Sequence, residues 1–245
     1  MSPESAPMSF GSDAAAFTSI DLEHETVRGL NAKMHGLDRE TNQSRWRVLN
    51  PRGRHAIIAG LDAPVTVEID GNVGYYCAGM NKLAHVVIHG NAGVGIGENM
   101  MSGFVHVKGD ASQAAGATAH GGTLVIDGNA SARCGISMKG ADIIVKGSIG
   151  HMSAFMAQAG TLTVLGDAGD ALGDSLYEAH LYIRGSVASL GADCIAKDMR
   201  DEHKAELFEK LKAAGIEGQV DVSDFKRYGS ARSLYHFHID NASSY

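Results

Sequence analysis

The sequence predicts an all-β solenoid: a right-handed parallel β-helix of about seven 19-residue turns, with a helix flanking it at each end. Three observations carry that reading. Glycine recurs at Gly71, Gly90, Gly109, Gly128, Gly147, Gly166 and Gly185, every step being 19 residues, a register that chance would give about once in ten thousand. Ahead of each glycine runs a short alternating segment. Its apolar positions are Val67, Val86, Val105, Leu124, Ile143, Leu162 and Leu181, then Ile69, Ile88, Val107, Ile126, Val145, Val164 and Ile183, one face always apolar and often β-branched. Behind each glycine stands Asn, Asp or Ser, from Asn72 and Asn91 through Asp110 to Ser186, which is turn chemistry.

Further columns complete the unit. Three residues after the glycines every side chain is small or absent, and seven after they are Ala78, Gly97, Gly116, Gly135, Ala154, Gly173 and Ala192. A 19-residue extended turn has a contour of about 60 Å, enough to circle a narrow core, and stacking places equivalent residues about 4.8 Å apart. Glycine and alanine columns then mark corners, where positive φ or close backbone approach leaves no room for a longer side chain. The segment Gly93-Val-Gly95-Ile-Gly97 could instead suggest a phosphate-binding loop. A dinucleotide fingerprint needs G-x-G-x-x-G opening a helix, but Glu98 stands at the third glycine and strand-like alternation follows. Gly93 and Gly97 are read as corners and Gly95 as an extra glycine. A hexapeptide solenoid is excluded by the column Gly79, Glu98, Ala117, Ile136, Phe155, Asp174, Asp193, which is not consistently apolar.

The flanks follow from the need to cover strand edges at the two ends. Residues 1–18 read as a disordered extension and 19–64 as a helix plus an extended cap. Within the latter, 19–37 is expected helical with Ser19 as N-cap, and 44–61 extended. Residues 65–197 are the β-helix and 198–245 a helix and extended tail. In that helix Asp198 is the expected cap, Leu207, Phe208, Leu211 and Ala214 the apolar stripe, and Gly215 the stop. The tail alternates Tyr235, Phe237 and Ile239 with polar residues, a strand that needs a surface, either its own coil or a neighbouring subunit.

Bulk properties narrow the function classes. A net charge of −7 argues against a nucleic-acid partner, and no apolar run approaches a membrane span or signal peptide. Three cysteines in 245 residues fit a reducing compartment, so the cytoplasm is the expected location. Cys77 and Cys134 share a column three turns apart, too far for a disulfide or a shared metal. His236 and His238 lack a visible third ligand, and His85 and His180 lie five turns apart in one column. The Met-rich segments 98–101 and 150–160 read as core filling, with a docking surface as the minority reading. Arg133 is a lone charge in a column otherwise holding Tyr76, Gly95, Ala114, Met152, Ala171 and Leu190, so it is expected to be exposed or paired across a subunit contact. Arg133, Glu98, Tyr235 and Phe237 are therefore the candidate interface residues, and no catalytic, cofactor or metal residue is identified.

The glycine-rich turns "GNVG", "GNAGVGIG" and "GDAGDALG" resemble the GXGXG domain of the glutamate synthase large subunit. The set "RWRVLNPRGRHAI", "GYYCAGMN", "ENMMSG", "SARCGISMKG", "GHMSAFMAQAG", "GDSLYEA" and "GSARSLYHF" resembles the free-standing GXGXG subunit of N-methylglutamate synthase (methylamine–glutamate N-methyltransferase). The resemblance implies a seven-turn right-handed β-helix acting as a non-catalytic scaffold. Its implied partners are a class II amidotransferase-like subunit and a glutamate synthase-like subunit carrying FMN and an iron–sulfur cluster. No clustered thiolates for such a cluster occur here, so no cofactor is expected in this chain. An equivalent subunit of a formyltransferase/hydrolase or formylmethanofuran dehydrogenase complex is the first alternative. An independent carbohydrate-acting β-helix enzyme is the second, and a stand-alone structural homo-oligomer the third.

Overall fold

The computed structural model describes residues 17–231. In chain order the elements are β1 (Thr18–Asp21), α1 (Val27–His35), β2 (Arg45–Leu49), β3 (Thr66–Asp70), β4 (His85–Ile88), β5 (Phe104–Val107) and β6 (Thr123–Ile126). There follow β7 (Lys139–Val145), β8 (Ala159–Val164), β9 (His180–Ile183), β10 (Cys194–Lys197), α2 (Asp201–Ala213) and β11 (Lys226–Ser230). They form one sheet ordered β1 to β9 and then β11 and β10, parallel throughout β1–β9. From β3 to β9 the register is the 19-residue repeat: Val67 pairs with Val86, Val86 with Val105, and so on to Leu181. A second ladder of single bridges, Val73–Ala92–Ala111–Ala130–Ile149–Ala168–Val187, runs along another side. The chain is a parallel β-helix, and the inward residues of its strands are wholly buried. Among the described residues no helix is long and apolar enough to cross a membrane.

Why glycine recurs is now explicit. A Cβ on Gly147 would sit 2.8 Å from the carbonyl carbon of Gly128 and 2.5 Å from Asn129 Oδ1, and Gly109, Gly128, Gly166 and Gly185 are equally crowded by the preceding turn. This column serves close approach. Beside it the side chains of Asn72, Asn91, Asp110, Asn129, Ser148 and Asp167 each accept the backbone N–H one turn further on, at 2.7–2.9 Å. The polar side chains thus stitch successive turns together.

A third side of each turn has a conformation the sequence reading missed. Three residues per turn have φ of about +50 to +75°, as at Gly95, Gly97 and Asn99 or at Arg133, Gly135 and Ser137. The N–H of Glu98 bonds to Gly95 O, and that of Met100 to Gly97 O. With positive φ at the third residue of each four, these are successive type II turns. Gly95 is therefore not an extra glycine but one member of a left-handed column otherwise filled by Tyr76, Ala114, Arg133, Met152 and Ala171. Each such non-glycine residue costs about 1–2 kcal/mol. Bonds between turns hold it in place, such as Tyr76 N–H to Val94 O at 2.9 Å and Met80 N–H to Glu98 O at 2.8 Å.

The flanks need correction. The segment expected to be helical from Ser19 begins as β1, which extends the sheet because Ile20 and Leu22 bury inward. The helix starts only at Val27, with Thr26 Oγ1 accepting the Gly29 N–H at 3.0 Å. Thr18, placed in the disordered extension, is a strand residue, and residues 1–16 lie outside the described part. The expected extended cap is a full turn of the coil, β2 pairing in parallel with β3. Gly215 does stop α2, at φ +67°, but Asp198 does not cap it. The helix begins at Asp201, and His203 Nδ1 accepts the Arg200 N–H. Nor does α2 close the end of the coil. Leu207, Leu211 and Ala214 pack on the outward residues Val125, Ile144 and Tyr182, leaving Phe208 46% exposed. At the far end β11 is inserted antiparallel between β9 and β10, so that β10 is the last strand of the sheet.

Candidate interaction surface

Repetition gives each side of the coil its own chemistry. The outer sheet face is ionic. Asp127 gathers His106 at 2.8 Å, Lys146 at 2.7 Å and Lys108 at 3.6 Å, and Glu68 meets His89. Burial lowers the pKa of His85 and of His106, and for His85 the neighbouring His106 adds to the effect. Further along, α2 closes over His180 and Tyr182, alternate outward residues of β9. Glu206 binds His180 Nδ1 at 2.7 Å and accepts from the Tyr182 hydroxyl. Burial would raise the Glu206 carboxyl, but these two hydrogen bonds bring it down to about 2. Tyr182 is raised by burial and then by Glu206. The buried ring of His203, edge-on to His180 at 5.4 Å between centroids, is lowered by its burial.

This cluster has the residue types of an acid–base site. Its groups are spent on one another beneath a packed helix, so its evident work is to latch α2. The sequence reading did not find it, because the partners are separated by a helix whose docking face was unknown. The cysteines offer no nucleophile: all three are buried, with burial raising Cys77 and Cys134 to about 12 and Cys194 to about 11. At such values almost no thiolate forms near neutrality, and cysteines placed turns apart do not fit an iron–sulfur cluster. At the front, Asp21, Glu23 and His24 converge within 4.8 Å. Asp21 is held by Asn50, and Glu23 pairs with Arg52, ties that fasten β1 to the coil.

The left-handed side is different in kind. Its outward columns are mostly Tyr, Met and small residues. Tyr75, Tyr76, Met80, Met101 and Met156 are 40–54% exposed. Tyr75 stacks on His55 at 4.5 Å and meets Tyr76 edge-on. Tyr76 lies across Gly95, where a Cβ would fall 2.7 Å from its ring and 2.7 Å from Glu98 Oε2. Exposed aromatic and Met side chains on a rigid face are the composition of a protein interface core.

Comparison with known proteins finds no matching protein-family model. The chain is similar to "Protein GlxC" of Rhizobium meliloti (strain 1021), with 60% identity over 226 residues, which cover 92% of this chain and 99% of that protein. The chain belongs to the GlxC family.

In this GlxC-family chain the candidate interface residues are placed unequally. Glu98 is half-buried beside Tyr76 on the left-handed side. Arg133 lies on the same side, two turns beyond Gly95 in its column, exposed and without an ion pair among the described residues. The fold therefore puts Glu98 and Arg133 on one surface without pairing them. Tyr235 and Phe237 lie outside the described residues. The Met-rich segments divide: Met100 is buried as core filling, whereas Met101 and Met156 are exposed. Tyr75, Tyr76 and Met80 were missed, since their outward direction follows from backbone torsions that the alternation does not encode.

Proposed function

We propose that this chain is a non-catalytic scaffold subunit of a glutamate synthase-like complex. N-methylglutamate synthase, which converts glutamate and methylamine into N-methylglutamate and ammonium, is the reading its motifs favour. The observation that carries the scaffold role is the contrast between sides. The ionic face is satisfied internally and partly roofed by α2, while the left-handed face presents Tyr75, Tyr76, Met80 and Met156 to solvent. In this reading that face docks an amidotransferase-like subunit or an FMN- and iron–sulfur-carrying synthase subunit. The stiff coil then fixes the distance between the two active partners.

Affinity purification of the tagged full-length chain from its native cell tests the proposal. Recovery of amidotransferase-like and flavoprotein chains, together with methylamine-dependent formation of N-methylglutamate, is the expected result. Recovery of formyl-transferring or formyl-dehydrogenating partners would move the scaffold to a C1-carrier complex. Turnover by the isolated chain would end the scaffold reading.

A further inference from the structure

The left-handed side carries its charge unevenly along the coil. In its middle stretch, residues 111–158, the side chains of His120, Arg133, Lys139 and His151 are exposed there. Arg133 is itself a left-handed residue at φ +60°, and its N–H bonds to His151 O at 2.9 Å, so the two stand on adjacent turns. His120 and Lys139 each follow, by two residues, the last left-handed residue of their turns, Thr118 and Ser137. The Lys139 N–H reaches Ala119 O at 2.7 Å, which sets His120 and Lys139 one turn apart, about 4.8 Å along the coil. Ala114, Ala117, Thr118 and Ser137, all short side chains, occupy the columns between the two pairs.

No carboxylate of this stretch faces these groups. Its acidic residues are Asp127 and Asp142, and both lie on the sheet side. There Asp127 holds His106 and Lys146, and Asp142 holds Lys210 and the Thr161 hydroxyl. On the left-handed side itself, carboxylates return only one turn away in either direction. Asp170 accepts from the Ser189 hydroxyl at 2.9 Å and Asp174 from the Ser175 hydroxyl at 2.8 Å. Glu98 is half-buried beside Tyr76. Apolar side chains bound the basic strip at both ends: Tyr75, Tyr76, Met80 and Met101 toward the front, Phe155 and Met156 toward the rear.

An exposed basic strip on a chain of net charge −7 is a local feature, since the field of the whole molecule repels a long polyanion. It suits a short run of carboxylates set among apolar residues. We propose that the left-handed face recognises its partner through an acidic segment of that protein. Asp or Glu side chains of the segment pair with His120, Arg133, Lys139 and His151, while their apolar neighbours pack on Tyr76, Met80 and Met156. Complementary charge of this kind sets orientation and speeds association, and the apolar contacts hold the complex. The proposal rests on the reading of this face as a docking surface and adds the chemistry of what docks.

Carbodiimide coupling of the complex isolated with the tagged full-length chain tests it, because the reagent joins a lysine amine to a carboxylate touching it without a spacer. Mass spectrometry is expected to find Lys139 linked to an Asp or Glu of the recovered partner. Binding of that purified partner should weaken at least about tenfold in Arg133→Glu combined with Lys139→Glu, with the melting temperature unchanged. Raising salt from about 50 to about 300 mM should weaken wild-type binding by a similar factor and the variant much less. If the reversed variant fails to fold, Arg133→Gln with Lys139→Gln decides by the same binding measurement. Binding that is equal in wild type and charge variants, but lost in Tyr76→Ser with Met80→Ser, overturns the acidic segment and leaves the docking face standing. Links from Lys139 to carboxylates of this chain alone also overturn it. Binding unchanged in every variant, or no chain recovered with the wild type, removes the docking face and this proposal together.

Discussion

Gly147 and Gly97 are glycines for different reasons, and substitution separates them. At Gly147 a methyl group would meet the backbone of the preceding turn at 2.7–2.8 Å, and neither strand can retreat without breaking the ladder. Gly147→Ala is expected to destabilise by about 3 kcal/mol. At Gly97 the nearest atom to an added Cβ is Leu124 Cδ2 at 3.9 Å, so only the φ of +64° resists. Ala78 and Ala154 already occupy this column at φ +51 and +57°. Gly97→Ala should therefore cost only about 1 kcal/mol, and denaturant midpoints of the two variants would rank them. Asn129→Ala removes the acceptor for the Ser148 N–H at 2.9 Å, and the same measurement should show a loss of about 1 kcal/mol.

At the scale of elements, α2 is held to the coil by a cluster of titratable groups. His180, Tyr182, His203, Glu202, Arg227 and Lys210 surround Glu206 or one another at this junction. His203 is lowered in the fold, so the native state binds fewer protons than the unfolded chain below the ordinary histidine value of 6.5. Its contribution is complete above that value and declines as pH falls through it. Glu206 acts in the same direction at lower pH: its contribution is present above 4.5 and is lost as pH falls toward about 2. Hydrogen exchange of α2 amides from about pH 7 to about pH 3 should thus show progressive loosening of the helix. Glu206→Gln should remove the lower step and keep the upper one. An α2 that stays equally protected across this range would refute the latch.

For the whole molecule, the left-handed face is where assembly would be decided. Tyr76→Ser combined with Met80→Ser removes two side chains that are 48% and 54% exposed. The expected outcome is lost recovery of partner chains with the melting temperature nearly unchanged, because exposed positions contribute little to folding, within about 0.5 kcal/mol. Arg133→Ala, on the same face, should weaken recovery without loss of fold. Unaltered assembly in both variants would remove this surface as the docking site.

The coil was legible because its physics is local and repeated. A strand every 19 residues, turn chemistry at Asn72 and its successors and glycine at Gly71 and its successors each state the same period, and stacking follows from it. The flanks were less legible. Arg45–Leu49 pairs as a turn of the coil although its spacing to β3 departs from 19 residues, and α2 has apolar residues on more than one side, so its sequence could not say that Phe208 would face solvent. The candidate surface was only half visible: Glu98 and Arg133 were singled out by their columns, while Tyr75, Tyr76 and Met80 were not. By itself the sequence determined the period, the apolar interior and the corners, because these depend on spacing along the chain. Only the tertiary structure decided which side is left-handed and where α2 docks, because those depend on hydrogen bonds between turns and on contacts among residues far apart in sequence.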